Sequence, residues 1–254
     1  MASFITDQLT DNSFSRFRGL KFGPVGSHYK KMAPFGFSST STDVMAGVSL
    51  VGKFALVTGG TGGLGEETAR ALCEAGAHVT IMGRDAAKAK AAVSRIRARH
   101  PAATIDVALA DLAELASIKR MGEQWAGRPL DLLFLNAGVM AMPLTRTAEG
   151  WEMQFATNHF GHFLLTALLA PSLRSGARVV VTSSAAHEFA PVDLGDVHFL
   201  NRPYSPWQAY GQSKTANVLF AAELDKRLRP RVRRRRENKW GTHQCRVGYY
   251  GGPL

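Results

Sequence analysis

Phe54-Ala-Leu-Val-Thr58-Gly-Gly-Thr-Gly-Gly-Leu-Gly65 is the stretch that decides the fold. Its first half is a short apolar run, the composition of a strand buried on both faces. Its second half sets Gly59, Gly60, Gly62, Gly63 and Gly65 around Thr61 and Leu64, ahead of a helical pattern that reaches about Ala75. Glycines allow the tight turn, let the backbone approach a pyrophosphate and permit close packing of helix on strand. The start of the helix then offers N–H donors and partial positive charge. An ordinary glycine-rich loop has the same composition. What separates the two is a strand before it and a helix behind it, and both are legible here.

The same alternation continues along the chain. His78–Met82 reads as a second strand, Ala86–Arg99 as a helix closed by Pro101, and Ile105–Leu109 as a third strand. Leu115–Trp125 is a helix behind Asp111, and Asp131–Leu135 is a nearly all-apolar fourth strand. A long helical stretch from about Gly150 to Leu173 leads to the fifth strand, Arg178–Thr182. After a loop with Pro191, Pro203 and Pro206, a helix carries Tyr210 to about Leu228. Strands alternating with helices at this spacing imply right-handed crossovers, so the predicted class is α/β, a doubly wound parallel sheet of Rossmann type. Residues 1–49 read as an N-terminal arm with a short helix near Thr42–Ala46, and residues 50–228 as one dinucleotide-binding domain.

A chain of 254 residues with 45% apolar residues holds a core that needs no staples. Its two cysteines, Cys73 and Cys245, cannot make a disulfide framework. A reducing compartment, the cytoplasm, is therefore the expected location. No window approaches a membrane-spanning apolar run, and the first residues lack a signal-peptide core. Asp7 and Asp11 argue against a transit peptide, while the Ser, Phe and Arg content there leaves organellar targeting open. The net charge of +11 is uneven: from Lys226 onward ten Lys/Arg stand against Glu237 alone, a local +9 that leaves +2 for the rest.

Several candidate site residues fall at the carboxyl ends of the strands, where open α/β sheets bind ligands. After the second strand, an acid would accept from the ribose hydroxyls of NAD, whereas an arginine would pair with the 2′-phosphate of NADP. The sequence there is Gly83-Arg84-Asp85, which favours NADP through Arg84; a small shift of register would make Asp85 the ribose ligand and NAD the cofactor. Asp111 and Leu112 close the third strand, although Asp111 is equally suited to cap the next helix. Asn136-Ala137-Gly138 closes the fourth strand. Ser183-Ser184 closes the fifth, as a plain turn or as a hydroxyl facing a substrate carbonyl. Tyr210 and Lys214 are spaced i, i+4, on one helical face, where an ammonium favours the phenolate and suits Tyr210 to acid/base work. His159, His162 and His187 lack a further ligand at zinc spacing, so no metal is expected. Cys73 reads as a small buried hydrophobe.

In this order, the glycine turn, Asn136-Ala137-Gly138, Asn158-His-Phe-Gly161, Ser184 and Tyr210-x-x-x-Lys214 resemble the short-chain dehydrogenase/reductase family. The gap of 26 residues from Ser184 to Tyr210 and the run Tyr210-Gly-Gln-Ser-Lys-Thr-Ala-Asn217 resemble its retinol-dehydrogenase-like branch. The match spans about Leu50 to Leu228. The resemblance implies that Tyr210 is the acid/base, that Lys214 holds the nicotinamide ribose, and that Ser184 binds the substrate oxygen. It also implies that Asn158 anchors a proton-relay water with Lys214. The expected reaction is hydride transfer between a nicotinamide cofactor and an apolar alcohol or carbonyl compound. Whether the chain forms a homo-oligomer stays open.

Beyond Leu228 the chain departs from the family pattern of a sixth strand, a Pro-Gly turn, substrate helices and a seventh strand. Residues 229–254 instead read as a basic, disordered tail on a truncated fold, with the fifth strand left as an exposed apolar edge. The arginine run could hold phosphates, but it has no accompanying nucleic-acid recognition motif. The competing expectation is a catalytically impaired form that only binds a dinucleotide or a protein partner.

Overall fold

The computed structural model describes residues 35, 36, 38–228 and the backbone of Gln244–Tyr250. The chain divides into two compact units, Met1–Val44 and Met45–Leu254. Helix α1, Ser41–Met45, starts in the first behind Thr40, whose hydroxyl and N–H both bond to Asp43, and its last residue is the first of the second unit.

The second unit alternates strand and helix. Its elements begin with β1 (Phe54–Thr58), α2 (Gly63–Glu74), β2 (His78–Gly83), α3 (Ala86–Arg99), β3 (Ile105–Leu109), α4 (Leu115–Trp125) and β4 (Leu130–Leu135). A helical path follows: α5 (Met153–Phe155), one π-helical turn (Ala156–Phe160), α6 (Gly161–Leu169) and a 3₁₀ turn (Ala170–Ser172). Then come β5 (Leu173–Ser184), α7 (Pro206–Leu228) and β6 (Gln244–Tyr250). The sheet order is β3-β2-β1-β4-β5-β6, all parallel, as the doubly wound reading requires.

Apolar side chains from successive strand positions go to opposite faces of this sheet. Leu56, Met82, Leu133, Leu135, Val179 and Val181 join one core with Ile118, Met121, Trp125 and Leu165 of the helices. Ala55, Val57, Val79, Ile81 and Ile105 join the other with Ala69, Leu72, Ala92 and Ile96. Burial on both faces explains why these strands read as continuous apolar runs. Cys73 is buried in the second core, as expected of a small hydrophobe.

Two expectations need correction. The helical stretch starts at Met153 rather than near Gly150, and it is interrupted by the π turn at Asn158. Further on, β5 is not an edge: β6 pairs with it in parallel, Val179 opposite Cys245 and Ser184 opposite Tyr250. Unpaired N–H and C=O groups along β5 are a template for another strand, and residues 244–250 supply it although their composition is mixed. No seventh strand follows among the described residues. The arginine run, Arg229–Arg236, lies outside the described residues.

Candidate active site

The sheet order reverses between β1 and β4, and a crevice forms where their carboxyl ends diverge. The glycine turn and Asn136-Ala137-Gly138 meet there. Gly59 (φ +67°) takes the left-handed conformation that releases the chain from β1, and a Cβ on it would come within 2.9 Å of the Ala137 Cα. A Cβ on Gly65 would collide with the Gly59 carbonyl oxygen and stand 2.7 Å from Asn136 Nδ2. At Gly62 and Gly63 a Cβ would meet nothing within 4 Å, so the start of α2 opens onto free space. The turn therefore fits a dinucleotide: packed where helix meets strand, open where a pyrophosphate would lie.

This geometry separates the glycines by experiment. Gly65→Ala is expected to lower the thermal midpoint of the ligand-free protein by the cost of overpacking, about 1–3 kcal/mol. Gly62→Ala should leave that midpoint unchanged and instead weaken NADPH binding, because its methyl enters the open space. Differential scanning fluorimetry with and without NADPH reads both; equal behaviour of the two variants would count against this division.

Thr58 and His162 lock the two strand ends together. The Thr58 hydroxyl accepts the N–H groups of Asn136 (2.9 Å) and Ala137 (3.0 Å) and lies 2.8 Å from His162 Nε2. His162 Nδ1 lies 3.0 Å from the Asn158 carbonyl oxygen. A carbonyl only accepts, so Nδ1 carries the hydrogen and Nε2 accepts from Thr58. Burial pushes His162 and His159 down to about 4, which keeps both rings neutral. His162 thus serves the fold of the crevice, and the described residues contain no cluster of three metal-ligating side chains.

Asn158 sits in the π turn, fully buried. Its Oδ1 accepts from the Val139 N–H (2.8 Å), and its Nδ2 donates to the Val139 carbonyl and to Ser213 Oγ, each at 2.9 Å. It therefore ties the loop after β4 to α7, the helix that carries Tyr210 and Lys214. The Lys214 ammonium lies 5.5 Å from the Tyr210 ring centroid and donates to the Thr182 carbonyl at 3.4 Å. Lys214 is only 3% exposed, and burial pushes it down to about 8.

These groups line a cavity of about 160 Å³ bounded by Leu64, Asn136, Gly138, Val139, Met140, Thr182, Ser183, Tyr210 and Lys214. Of the two serines, Ser183 faces it, its Oγ donating to the Lys214 carbonyl at 2.9 Å. Ser184 is half-buried beside it, its Oγ accepting the Ala186 N–H at 3.3 Å. A larger open groove of about 470 Å³ lies at the amino ends of β4 and β5 and contains none of these motifs.

At the far end of the crevice, Arg84 follows β2 and reaches Asp111 Oδ2 at 3.4 Å with its side chain 72% exposed. Gly83 has no room for a side chain, since a Cβ would stand 2.6 Å from Thr61 Cγ2. Asp85 caps α3, its carboxylate accepting the Lys88 N–H at 3.0 Å. Asp111 Oδ1 accepts from Ala113, and Glu114 rather than Asp111 is the N-cap of α4. The Leu112 carbonyl packs against Gly161 at the start of α6. From the sequence, Thr58, His162 and Met140 have no place in the site, and Ser183 enters only with Ser184 as a hydroxyl after the fifth strand; each is placed by residues distant in the chain.

The model of the family described as short chain dehydrogenase matches residues 53–234. The chain belongs to the short-chain dehydrogenase family. The chain is 50% identical over 177 residues to the "Probable oxidoreductase" of Streptomyces antibioticus, covering 68% of this chain and 59% of that one. It is 42% identical over 185 residues to retinol dehydrogenase 12 of Mus musculus, covering 71% of this chain and 58% of that one. That similarity bears out the retinol-dehydrogenase-like branch. The chain thus spans under three fifths of the length of these curated relatives, 59% and 58%. Among solved structures, the Pseudomonas aeruginosa RhlG/NADP active-site complex matches at TM-score 0.56 and 31% identity, covering 71% of this chain and 68% of that one. No helix among the described residues is long and apolar enough to cross a membrane.

Proposed function

We propose that this chain is an NADP-preferring oxidoreductase that transfers a hydride between a nicotinamide and an apolar alcohol or carbonyl compound. The observation that carries the reading is the buried Lys214 ammonium beside the Tyr210 ring, in the cavity that the glycine turn opens into. When bound, a nicotinamide supplies or takes the hydride. The chain's own groups do the rest. Tyr210 exchanges a proton with the substrate oxygen, and Lys214 holds positive charge beside the phenol and a donor for a ribose hydroxyl. Ser184 lies half-buried beside the cavity rather than in its lining; its Oγ accepts the Ala186 N–H, which leaves the hydroxyl hydrogen to donate to the same substrate oxygen. The side chain of Asn158 is engaged by Val139 and Ser213 and its carbonyl accepts from His162, so a relay water would use that oxygen's second lone pair.

The apolar substrate class rests on the rim. Met140, Phe189 and Trp207 are exposed, 56%, 58% and 42% respectively. Met140 lines the cavity, and the Trp207 ring stands 6.2 Å from that of Tyr210. An enzyme for polar substrates has little reason to leave such side chains in water around its acid/base.

NADP preference rests on Arg84, which has no acid before it at Gly83 and an Asp85 engaged in capping. RhlG, whose solved complex carries NADP, is consistent with that choice. Arg84→Ala should weaken NADPH binding by about 1.5–3 kcal/mol, the range for hydrogen bonds to charged groups, and leave NADH nearly unchanged. Calorimetric titration with both cofactors checks it; equal losses would remove Arg84 from the 2′-phosphate. The function itself is tested by NADPH oxidation against apolar aldehydes, ketones and quinones. NADPH binding without turnover of any of them would support the binding-only alternative. The cytoplasmic location stays part of this proposal.

A further inference from the structure

The helical segment that carries Asn158 makes a second tie one turn earlier. Gln154 is fully buried, and its Oε1 accepts the Ala141 N–H at 2.8 Å. Its Nε2 donates to the Pro206 carbonyl at 3.0 Å and to the Tyr204 hydroxyl at 2.8 Å. Both amide hydrogens and the carbonyl are thus engaged, and the backbone partners fix which way the amide points. Asn158 joins Val139 to Ser213. Gln154, at i−4 on the same face, joins Ala141 to Pro206, the first residue of α7. The two amides clamp one wall of the cavity, the loop after β4, to the helix that bears Tyr210.

The clamp is backed by a buried carboxylate. Glu152 is fully buried; its oxygens accept the N–H groups of Gln154 (3.0 Å) and Phe155 (2.7 Å) and the Tyr204 hydroxyl lies 3.2 Å away. Tyr204 also reaches the Met142 carbonyl at 2.9 Å. Burial pushes the Tyr204 phenol up to about 12, so it keeps its hydrogen.

Two backbone conformations show that these contacts hold the chain where it would not rest alone. Ala141 (φ +50°) and Phe199 (φ +54°) are the non-glycine residues of positive φ among the described residues. Such residues persist only where surrounding contacts over-determine them. Ala141 is held by Gln154. Phe199 lies in the loop between β5 and α7, with its carbonyl bound by Arg146 (3.1 Å) and its ring edge-on to Tyr204 at 5.2 Å. Met140, next to strained Ala141, lines the cavity with Tyr210.

We infer that Gln154, supported by Glu152 and Tyr204, is a positioning residue that sets the substrate-side wall of the cavity against the Tyr210 helix. This rests on the oxidoreductase reading above. It acts on the side where an apolar substrate would lie and leaves the glycine turn alone. A long substrate spans the wall from Met140 outward and should feel its displacement more than a short one.

The experiment compares wild type, Gln154→Glu, Gln154→Leu and Tyr204→Phe with hexanal and tetradecanal as substrates and NADPH as reductant. Gln154→Glu keeps the acceptor for Ala141 and loses the donor to Pro206. Tyr204→Phe removes one hydroxyl and keeps the ring packing. The expected result is a rise of about tenfold or more in KM for tetradecanal, with kcat and KM for NADPH within about twofold of wild type. Hexanal should be affected several-fold less. A loss confined to kcat, or the same loss for both aldehydes, would overturn the assignment. Hydrogen exchange supplies an arm that needs no turnover. In Gln154→Leu the Ala141 amide should exchange at least about tenfold faster, while β1 and α2 keep wild-type protection. If the wild type oxidises no NADPH, the functional reading fails and the exchange arm still decides the clamp. Unchanged exchange at Ala141 would refute it.

Discussion

Tyr210→Phe is expected to lower kcat by about 10²–10⁴-fold, the usual contribution of a positioned acid/base. The substitution removes only the hydroxyl. The ring keeps its edge contact with Trp207 at 6.2 Å and its place 5.5 Å from the Lys214 ammonium, so the cavity wall stays built. NADPH affinity should therefore remain within about twofold, and the thermal midpoint should hold, which confines the loss to the chemical step. Single-turnover NADPH oxidation, followed at a fixed concentration of the best aldehyde from the panel, measures it. A variant that turns over at the wild-type rate would take Tyr210 out of the reaction and leave its i, i+4 spacing to Lys214 without a chemical purpose in this chain.

Lys214→Met should produce the opposite signs for stability and activity. Burial lowers Lys214 from 10.5 to about 8, so at neutral pH the fold holds a charged group in a place that disfavours it. Between pH 8 and 10.5 Lys214 binds more protons in the unfolded chain than in the folded one, so its own contribution to stability becomes less unfavourable as pH rises across that window. Below pH 8 the penalty is present in full. Methionine has similar length and no charge, so the ligand-free variant should gain about 3 kcal/mol at pH 7, since each tenfold loss of proton affinity costs about 1.4 kcal/mol. The advantage should shrink as pH rises and vanish near 10.5, the value of the unfolded lysine. Activity should fall by about 10²-fold or more, because a charge aimed at the reacting groups is lost. Denaturant melts at several pH values, beside NADPH oxidation, check both halves. A variant less stable than wild type at pH 7 would mean that the ammonium has partners worth more than its desolvation. The pair of outcomes describes a site that accepts instability at Lys214 for the sake of a cation next to Tyr210.

Much of the fold was legible because its signals are local. The boundaries of Ala86–Arg99 and Leu115–Trp125 follow from helical period and flanking residues, and the structure agrees with them. The glycine turn announces itself by composition between a strand and a helix. The π turn at Asn158 was not legible, since its residues fit an α-helix equally well, and the partners that Asn158 bonds within it, Val139 and Ser213, lie 19 and 55 residues away in the chain. Nor was β6: Gln244–Tyr250 gains its strand conformation from the open edge of β5, which lies some sixty residues earlier in the chain.

The sequence by itself determined the parallel sheet, the glycine turn, and the pairing of Tyr210 with Lys214 on one helical face. Each depends on residues a few positions apart, where period and turn chemistry act directly. The tertiary structure alone decided that Thr58 bonds His162, that Ser183 rather than Ser184 lines the cavity, and that Gln154 joins Ala141 to Pro206. Those contacts bridge separations of up to 104 residues, as between Thr58 and His162. Their partners are set by which strand ends the topology brings together, and burial then obliges every polar group there to find one.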